Sequence, residues 1–138
     1  MGAVMKVQPI GVDWRPFLAE FPILFGEGRF ITLWVGERWF ELLWDLCVTL
    51  EATAGKRVAD GHPPIRVVQV KEKYGTLRVY VEGGCDEVFD LIDAAETRSR
   101  TTCETCGRPG STICLDDWDR TLCPAHELLA RLSARPKH

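Results

Sequence analysis

The chain of 138 residues contains no asparagine, and its histidines are only three: His62, His126 and His138. That shortage excludes one class of enzyme. An HNH-type nuclease needs a catalytic histidine and further His or Asn metal ligands beyond any structural zinc site. With His126 spaced as a metal ligand beside Cys123, only His62 and His138 remain for such work. Long apolar runs are missing too. Ile31 to Val35 is the longest conspicuous one, far short of the roughly 20 residues that a membrane-spanning helix requires. No signal-peptide core opens the chain, since Lys6, Gln8, Asp13 and Arg15 interrupt it. The expectation is a cytoplasmic, reducing setting without membrane association. Excess positive charge is also absent: 17 Lys and Arg stand against 20 Asp and Glu, a net charge of −3. That balance disfavours sequence-blind binding to nucleic acid.

Cysteine, by contrast, occurs six times, and in a reducing compartment such residues are metal ligands or buried thiols rather than disulfides. Cys103 and Cys106 are separated by two residues, as are Cys123 and His126, and 16 residues lie between the pairs. This is the spacing of a tetrahedral Cys3His site, predicting one structural Zn2+. Gly107 lets the backbone curl so that its amides face the thiolates. Pro124 suits the first position of a helix, whose positive end favours deprotonation of nearby sulfurs. Ser111 to Leu115 and Arg120 to Leu122 are expected to pair around Asp116 to Asp119. Knuckle, hairpin and ligand-bearing helix together read as a treble clef. Cys114 is either a free thiol or a substitute ligand. Cys85 is a small residue at a helix start or a reactive thiol, and Cys47 falls within an apolar helical pattern.

Catalysis at this metal is not expected. Four protein ligands leave no open position for water. Thioredoxin-like chemistry accounts for Cys103 and Cys106 only. A zincin needs a second histidine where Ala130 stands after His126-Glu127. A zinc deaminase needs His-x-Glu upstream of Pro-Cys-x-x-Cys, and neither half is present.

The rest of the chain reads as an α+β body over residues 1–100, followed by the zinc module over 101–138, docked on the body or continuous with it. Trp14 to Phe25, broken by Pro16 and Pro22, suggests a short helix or turn-rich cap, and Phe30 to Val35 a short strand. Glu37 to Ala54 carries Phe40, Leu43, Trp44, Cys47 and Leu50 at helical spacing, with Gly55 as the expected stop. Ile65 to Glu72 and Thr76 to Glu82 are expected to form a hairpin through Lys73-Tyr74-Gly75, with Val68 and Val70 sharing one face of the first strand and Leu77, Val79 and Val81 one face of the second. Asp86 to Arg100 is a second helix, with Val88, Leu91, Ile92 and Ala95 inward. The fold expected is two helices packed on a β-hairpin, then a C-terminal treble-clef-like zinc module.

Two surface features are candidate contact sites. The hairpin tip bears Lys71, Lys73, Tyr74 and Arg78, which either meet phosphate or an acidic partner or are simply solvated. Trp118, among Asp116, Asp117 and Asp119 on the expected turn, either anchors a partner protein or folds back over the module.

Four segments carry a resemblance. They are Gly36-Glu-Arg-Trp39 running on through Leu46-Cys47, Val68-Gln-Val-Lys71-Glu-Lys-Tyr74-Gly-Thr-Leu77-Arg-Val-Tyr80-Val81, Arg98-Ser-Arg-Thr-Thr-Cys103-Glu-Thr-Cys106-Gly-Arg-Pro-Gly110, and Arg120-Thr-Leu-Cys123-Pro-Ala-His126. Together they resemble a group of small zinc-finger proteins of tailed bacteriophages and prophages, mostly without assigned function. Val35 stands where that group is expected to have Cys. The resemblance implies an accessory protein of a mobile element, acting in a bacterial cytoplasm, and brings no catalytic residues. The leading expectation is non-catalytic binding to a host or phage protein, as an anti-defence or host-takeover factor would do. The alternative is a nucleic-acid-binding regulator using the treble clef with Arg98, Arg100, Arg108 and the basic hairpin tip; a structural phage component is a third reading.

Overall fold

The computed structural model describes residues 15–26, 31–32 and 39–133. The expected strand at Phe30 to Val35 is described only at Ile31–Thr32 (β1), and the start of the long helix before Trp39 lies outside the described residues. Two short helices, α1 (Arg15–Glu20) and α2 (Pro22–Phe25), form the N-terminal cap. They are followed by α3 (Trp39–Ala59), β2 (Arg66–Lys73), β3 (Thr76–Glu82) and α4 (Asp86–Ser99). The C-terminal part holds β4 (Ser111–Leu115), β5 (Trp118–Leu122) and α5 (Pro124–Ser133). The architecture is α+β, with two antiparallel hairpins in separate sheets; β1 lies parallel beside β2. Among the described residues no helix is long and apolar enough to cross a membrane.

The core of the body gathers where the apolar faces of α3, α4 and the first sheet meet, around Leu42, Leu43, Leu50, Ile65, Val70, Leu77 and Val88. The cap closes one side through aromatic edges: the Phe17 and Phe21 rings lie 4.9 and 4.7 Å from that of Trp44. Helix α2 has no capping side chain of its own. Its first free amides, at Ile23 and Leu24, instead donate to the Glu51 carboxylate of α3 at 3.0 and 3.1 Å. The outer edge of β3 is covered in a similar way. Leu77 and Val79 amides donate to Ser99 Oγ and Glu96 Oε2 of α4, leaving those groups unavailable to a stray strand.

Two details depart from the sequence reading. Gly55 does not end α3, which runs on to Ala59. A mid-helix glycine costs only about 1 kcal/mol relative to alanine, and packing against the cap outweighs that. The stop comes at Gly61, whose φ of +89° lets its own amide reach Val58 O while His62 N reaches Arg57 O. In β2, Val68 does not share a core face with Val70. The register slips between Val67 and Gln69, so Val67 and Val70 are buried and Val68 is the bulged residue.

The β2–β3 turn is what joins the two halves. Tyr74 and Gly75 both have positive φ, 53° and 77°, as a two-residue type I′ connection requires. Gly75 is buried against β5: a Cβ there would stand 3.0 Å from the Asp119 carbonyl carbon. Its own carbonyl accepts a buried hydrogen bond of 2.6 Å from Thr121 Oγ1. Gly75→Ala is therefore expected to lower stability by at least the ~1–2 kcal/mol of a left-handed alanine. Thermal unfolding measures the loss, and amide exchange should place it at Thr121 and its neighbours in β5.

Candidate metal centre

Helix α4 ends at Ser99, and the chain turns at once into the first knuckle. Cys103 N donates to Arg108 O at 2.8 Å and Gly107 N to Cys103 O at 2.9 Å, closing the loop around Cys103 and Cys106. The fully buried indole of Trp39 fixes its entry, with Nε1 donating to Thr102 O at 2.9 Å. Strand β5 delivers Cys123, and Pro124 begins α5 as expected, so that His126 lies in its first turn. The Glu127 amide donates to Cys123 O at 2.8 Å and starts the helical ladder.

The four ligand atoms of Cys103, Cys106, Cys123 and His126 lie within 4.8 Å of one another. Cys106 and Cys123 sulfurs are 3.7 Å apart, and His126 Nδ1 is 3.7 Å from Cys103 Sγ and 3.2 Å from Cys123 Sγ. No pair is at bonding distance, and all six cysteines are free thiols. A tetrahedron with metal–sulfur bonds of about 2.3 Å has sulfur–sulfur edges of about 3.8 Å, so the spacing suits a metal ion. Cys114 lies outside this group, exposed on β4 opposite Asp119, and Cys47 is buried in the main core, where burial pushes its thiol far up.

The electrostatics point the same way. Burial raises the Cys103 thiol, but backbone amides of Cys123, Cys106 and Thr105 outweigh it and hold the group down at about 6. Cys106 moves in the opposite direction. The Arg108 amide favours its thiolate, yet burial and the adjacent Cys103 and Cys123 sulfurs keep the proton on. Three sulfurs this close cannot all ionise without a cation between them.

Sequence reasoning missed the residues that brace this cluster. Glu104, between the two knuckle cysteines, is buried; its carboxylate accepts Arg120 Nε and Nη2 at 3.2 and 3.1 Å and Thr121 N at 3.2 Å. Its amide donates back to Thr121 O at 2.9 Å, stitching the knuckle to β5. Nothing local distinguishes Glu104 from any residue between paired cysteines; its role depends on a strand 16 positions away.

The structure also changes the two candidate contact surfaces. Trp118 is not on the turn. The turn is Asp116-Asp117, both at positive φ, and Trp118 opens β5 opposite Leu115. The short two-residue connection extends the hairpin further than the sequence indicates. The Trp118 ring stays 61 % exposed rather than folding over the module. Arg78 does not belong to the solvated tip, because it reaches back to Glu96 of α4 at 3.6 Å. Lys71 and Lys73 lie over the Tyr80 and Tyr74 rings at 5.4 and 5.6 Å. Since Gly75 docks on β5, Lys73, Tyr74 and Trp118 share one hollow of about 280 Å³ with Glu72, Asp117 and Asp119. A larger groove of about 680 Å³ runs along the other flank of Trp118, between β4–β5 and α5, with His126 and Leu129 in its wall. Burial and the nearby Glu104 and Asp119 carboxylates push the Glu72 carboxyl upward, and the Gly75 amide offsets this only in part.

No family model, curated protein or solved structure matches this chain.

Among the described residues, Leu122 is the one aliphatic side chain fully buried beside Cys103 and Cys123. Its burial supplies about 2–3 kcal/mol, against an ordering cost of about 1–2 kcal/mol for each residue fixed. Metal removal by chelation is thus expected to strip amide-exchange protection from 103–132 while α3, β2 and α4 keep theirs. Simultaneous loss of protection in both halves would show that the body has no stability of its own.

Proposed function

We propose that the protein is a non-catalytic binding module of the phage and prophage zinc-finger type. In this reading Cys103, Cys106, Cys123 and His126 hold one structural Zn2+ within a treble-clef-like unit of knuckle, hairpin and helix. The donor chemistry supports zinc, since three thiolates and one imidazole suit it better than hard cations that prefer oxygen. With four protein ligands engaged, the ion stabilises the fold and offers no site for an activated water. Among the described residues no second group of His, Cys, Asp or Glu is spaced to hold a metal. The motifs quoted above carry the likeness to phage proteins, and with it the expectation of a host or phage protein as partner in a bacterial cytoplasm, as for an anti-defence or host-takeover factor.

The observation that carries the binding reading is Trp118, a large ring left 61 % exposed on a strand that the metal cluster and Glu104 hold in place. Exposed aromatics on rigid supports are the residues that dominate protein interfaces. The nucleic-acid alternative loses support here, because the basic hairpin tip sits among Glu72, Asp117 and Asp119.

Trp118→Ala is expected to leave zinc content and unfolding temperature unchanged while weakening partner capture by about 2 kcal/mol, roughly thirtyfold. Pull-down from expressing cells after nuclease digestion, followed by titration of the recovered partner, measures this. Reversal of Lys71 and Lys73 to Glu is the control for phosphate contact. If charge reversal abolishes capture and the tryptophan change is silent, nucleic acid replaces protein as the partner.

A further inference from the structure

Helix α5 is amphipathic yet buries none of its residues. Ala125, Leu128, Leu129 and Leu132 recur at helical spacing along one stripe, and the three leucines are each more than half exposed. His126 and Ala130 occupy the module-facing side instead. Leu129 meets the groove beside Trp118, where Leu115 and Leu122 also contribute apolar wall. An apolar strip of this kind on an otherwise charged chain marks a contact surface.

Charge says what kind of occupant suits it. The groove and the adjoining hollow are bordered by Glu72, Asp116, Asp117 and Asp119. Nearby cations are committed elsewhere: Arg120 to Glu104 at 3.1 Å and Arg131 to Glu127 at 2.9 Å. Lys73 lies over the Tyr74 ring. Among the described residues no ion pair involves any of the four carboxylates.

We propose that this groove receives a cationic amphipathic segment of a partner protein, with a large apolar side chain between Trp118 and Leu129 and Lys or Arg side chains over Glu72, Asp116 and Asp117. The assignment rests on the protein-binding reading above and adds the chemistry of the partner. A second copy of the chain fits poorly, since two-fold packing of this face brings the Asp116–Asp117 turn and Glu72 toward their own duplicates. Phosphate-bearing partners meet the same repulsion.

The test is selection of a displayed library of random short peptides on the zinc-loaded full chain. The enriched sequence is then synthesised for titration by fluorescence anisotropy. Enriched peptides are expected to carry net positive charge around an aliphatic or aromatic residue. Trp118→Ala and Leu129→Ser should each weaken the synthetic peptide at least about tenfold. Asp116→Asn with Asp117→Asn, which keeps residues tolerant of positive φ, should weaken it too and flatten its loss of affinity with salt. Zinc content and circular dichroism confirm that each variant is folded. Enrichment of neutral or acidic peptides that still depend on Trp118 overturns the cationic assignment and leaves the protein-binding reading standing. Peptides indifferent to both Trp118 and Leu129, or no enrichment at all, remove the groove as a docking site. Concentration-dependent self-association in sedimentation, abolished by Leu129→Ser, assigns the face to a second copy instead.

Discussion

Three sulfurs and an imidazole nitrogen lie within 4.8 Å of one another, and they share one electrostatic conflict. Ionising one thiol raises the cost of ionising the next, and the Cys103 and Cys123 sulfurs act in that sense on Cys106. A cation at the centre would resolve it, converting mutual repulsion into four bonds. Among the described residues the C-terminal module buries little apolar surface of its own, so its order would rest largely on that cation. Strand β5 and helix α5 follow each other through Cys123, so fixing the cluster fixes the angle between them. That angle is what opens the groove beside Trp118.

A second constraint sets the module against the body. The Thr121 hydroxyl donates into the β2–β3 turn, and the Trp39 indole donates into the residue before the first ligand. Both bonds come from side chains in buried or half-buried positions, where an unmet partner costs about 1–3 kcal/mol. They make the turn and β5 one surface. The hairpin tip and the tryptophan, which look like independent features along the chain, therefore act on any partner together. Acidic side chains from both elements set the sign of the field that partner meets.

Local signals made much of this legible in the sequence. The α3 and α4 stripes, the β2–β3 turn at Gly75 and the four ligands all follow from spacing and from residue chemistry that acts within a few positions. What was not legible depends on distant partners. Gly55 reads as a stop until the cap residue Ile23 approaches it, 3.9 Å from where a Cβ would stand. Val68 and Val70 alternate correctly on paper, and only pairing with β3 reveals the bulge. Arg78 appears solvated until α4 brings Glu96 beside it. Trp118 reads as a turn residue because three nearby aspartates suggest a turn, whereas two of them suffice with both residues at positive φ. Glu104 carries no local signal at all, since the three hydrogen bonds of its carboxylate all go to β5.

Placing the exposed ring on a strand rather than a loop has an energetic consequence. A tryptophan on a free turn must be ordered when it binds, and ordering backbone at roughly 1–2 kcal/mol per residue consumes much of what one anchor provides. In β5 that backbone is already fixed: Trp118 pairs with Leu115, and three residues on, Thr121 is bonded to both Glu104 and Gly75. That ordering cost is met by folding. Any partner would therefore find the ring oriented and the carboxylates in place. Among the described residues, the exposed leucines of α5 have no contact that explains their amphipathic pattern unless something covers them. The surface around Trp118 is thus organised by the fold itself, apolar along its length and acidic at its border.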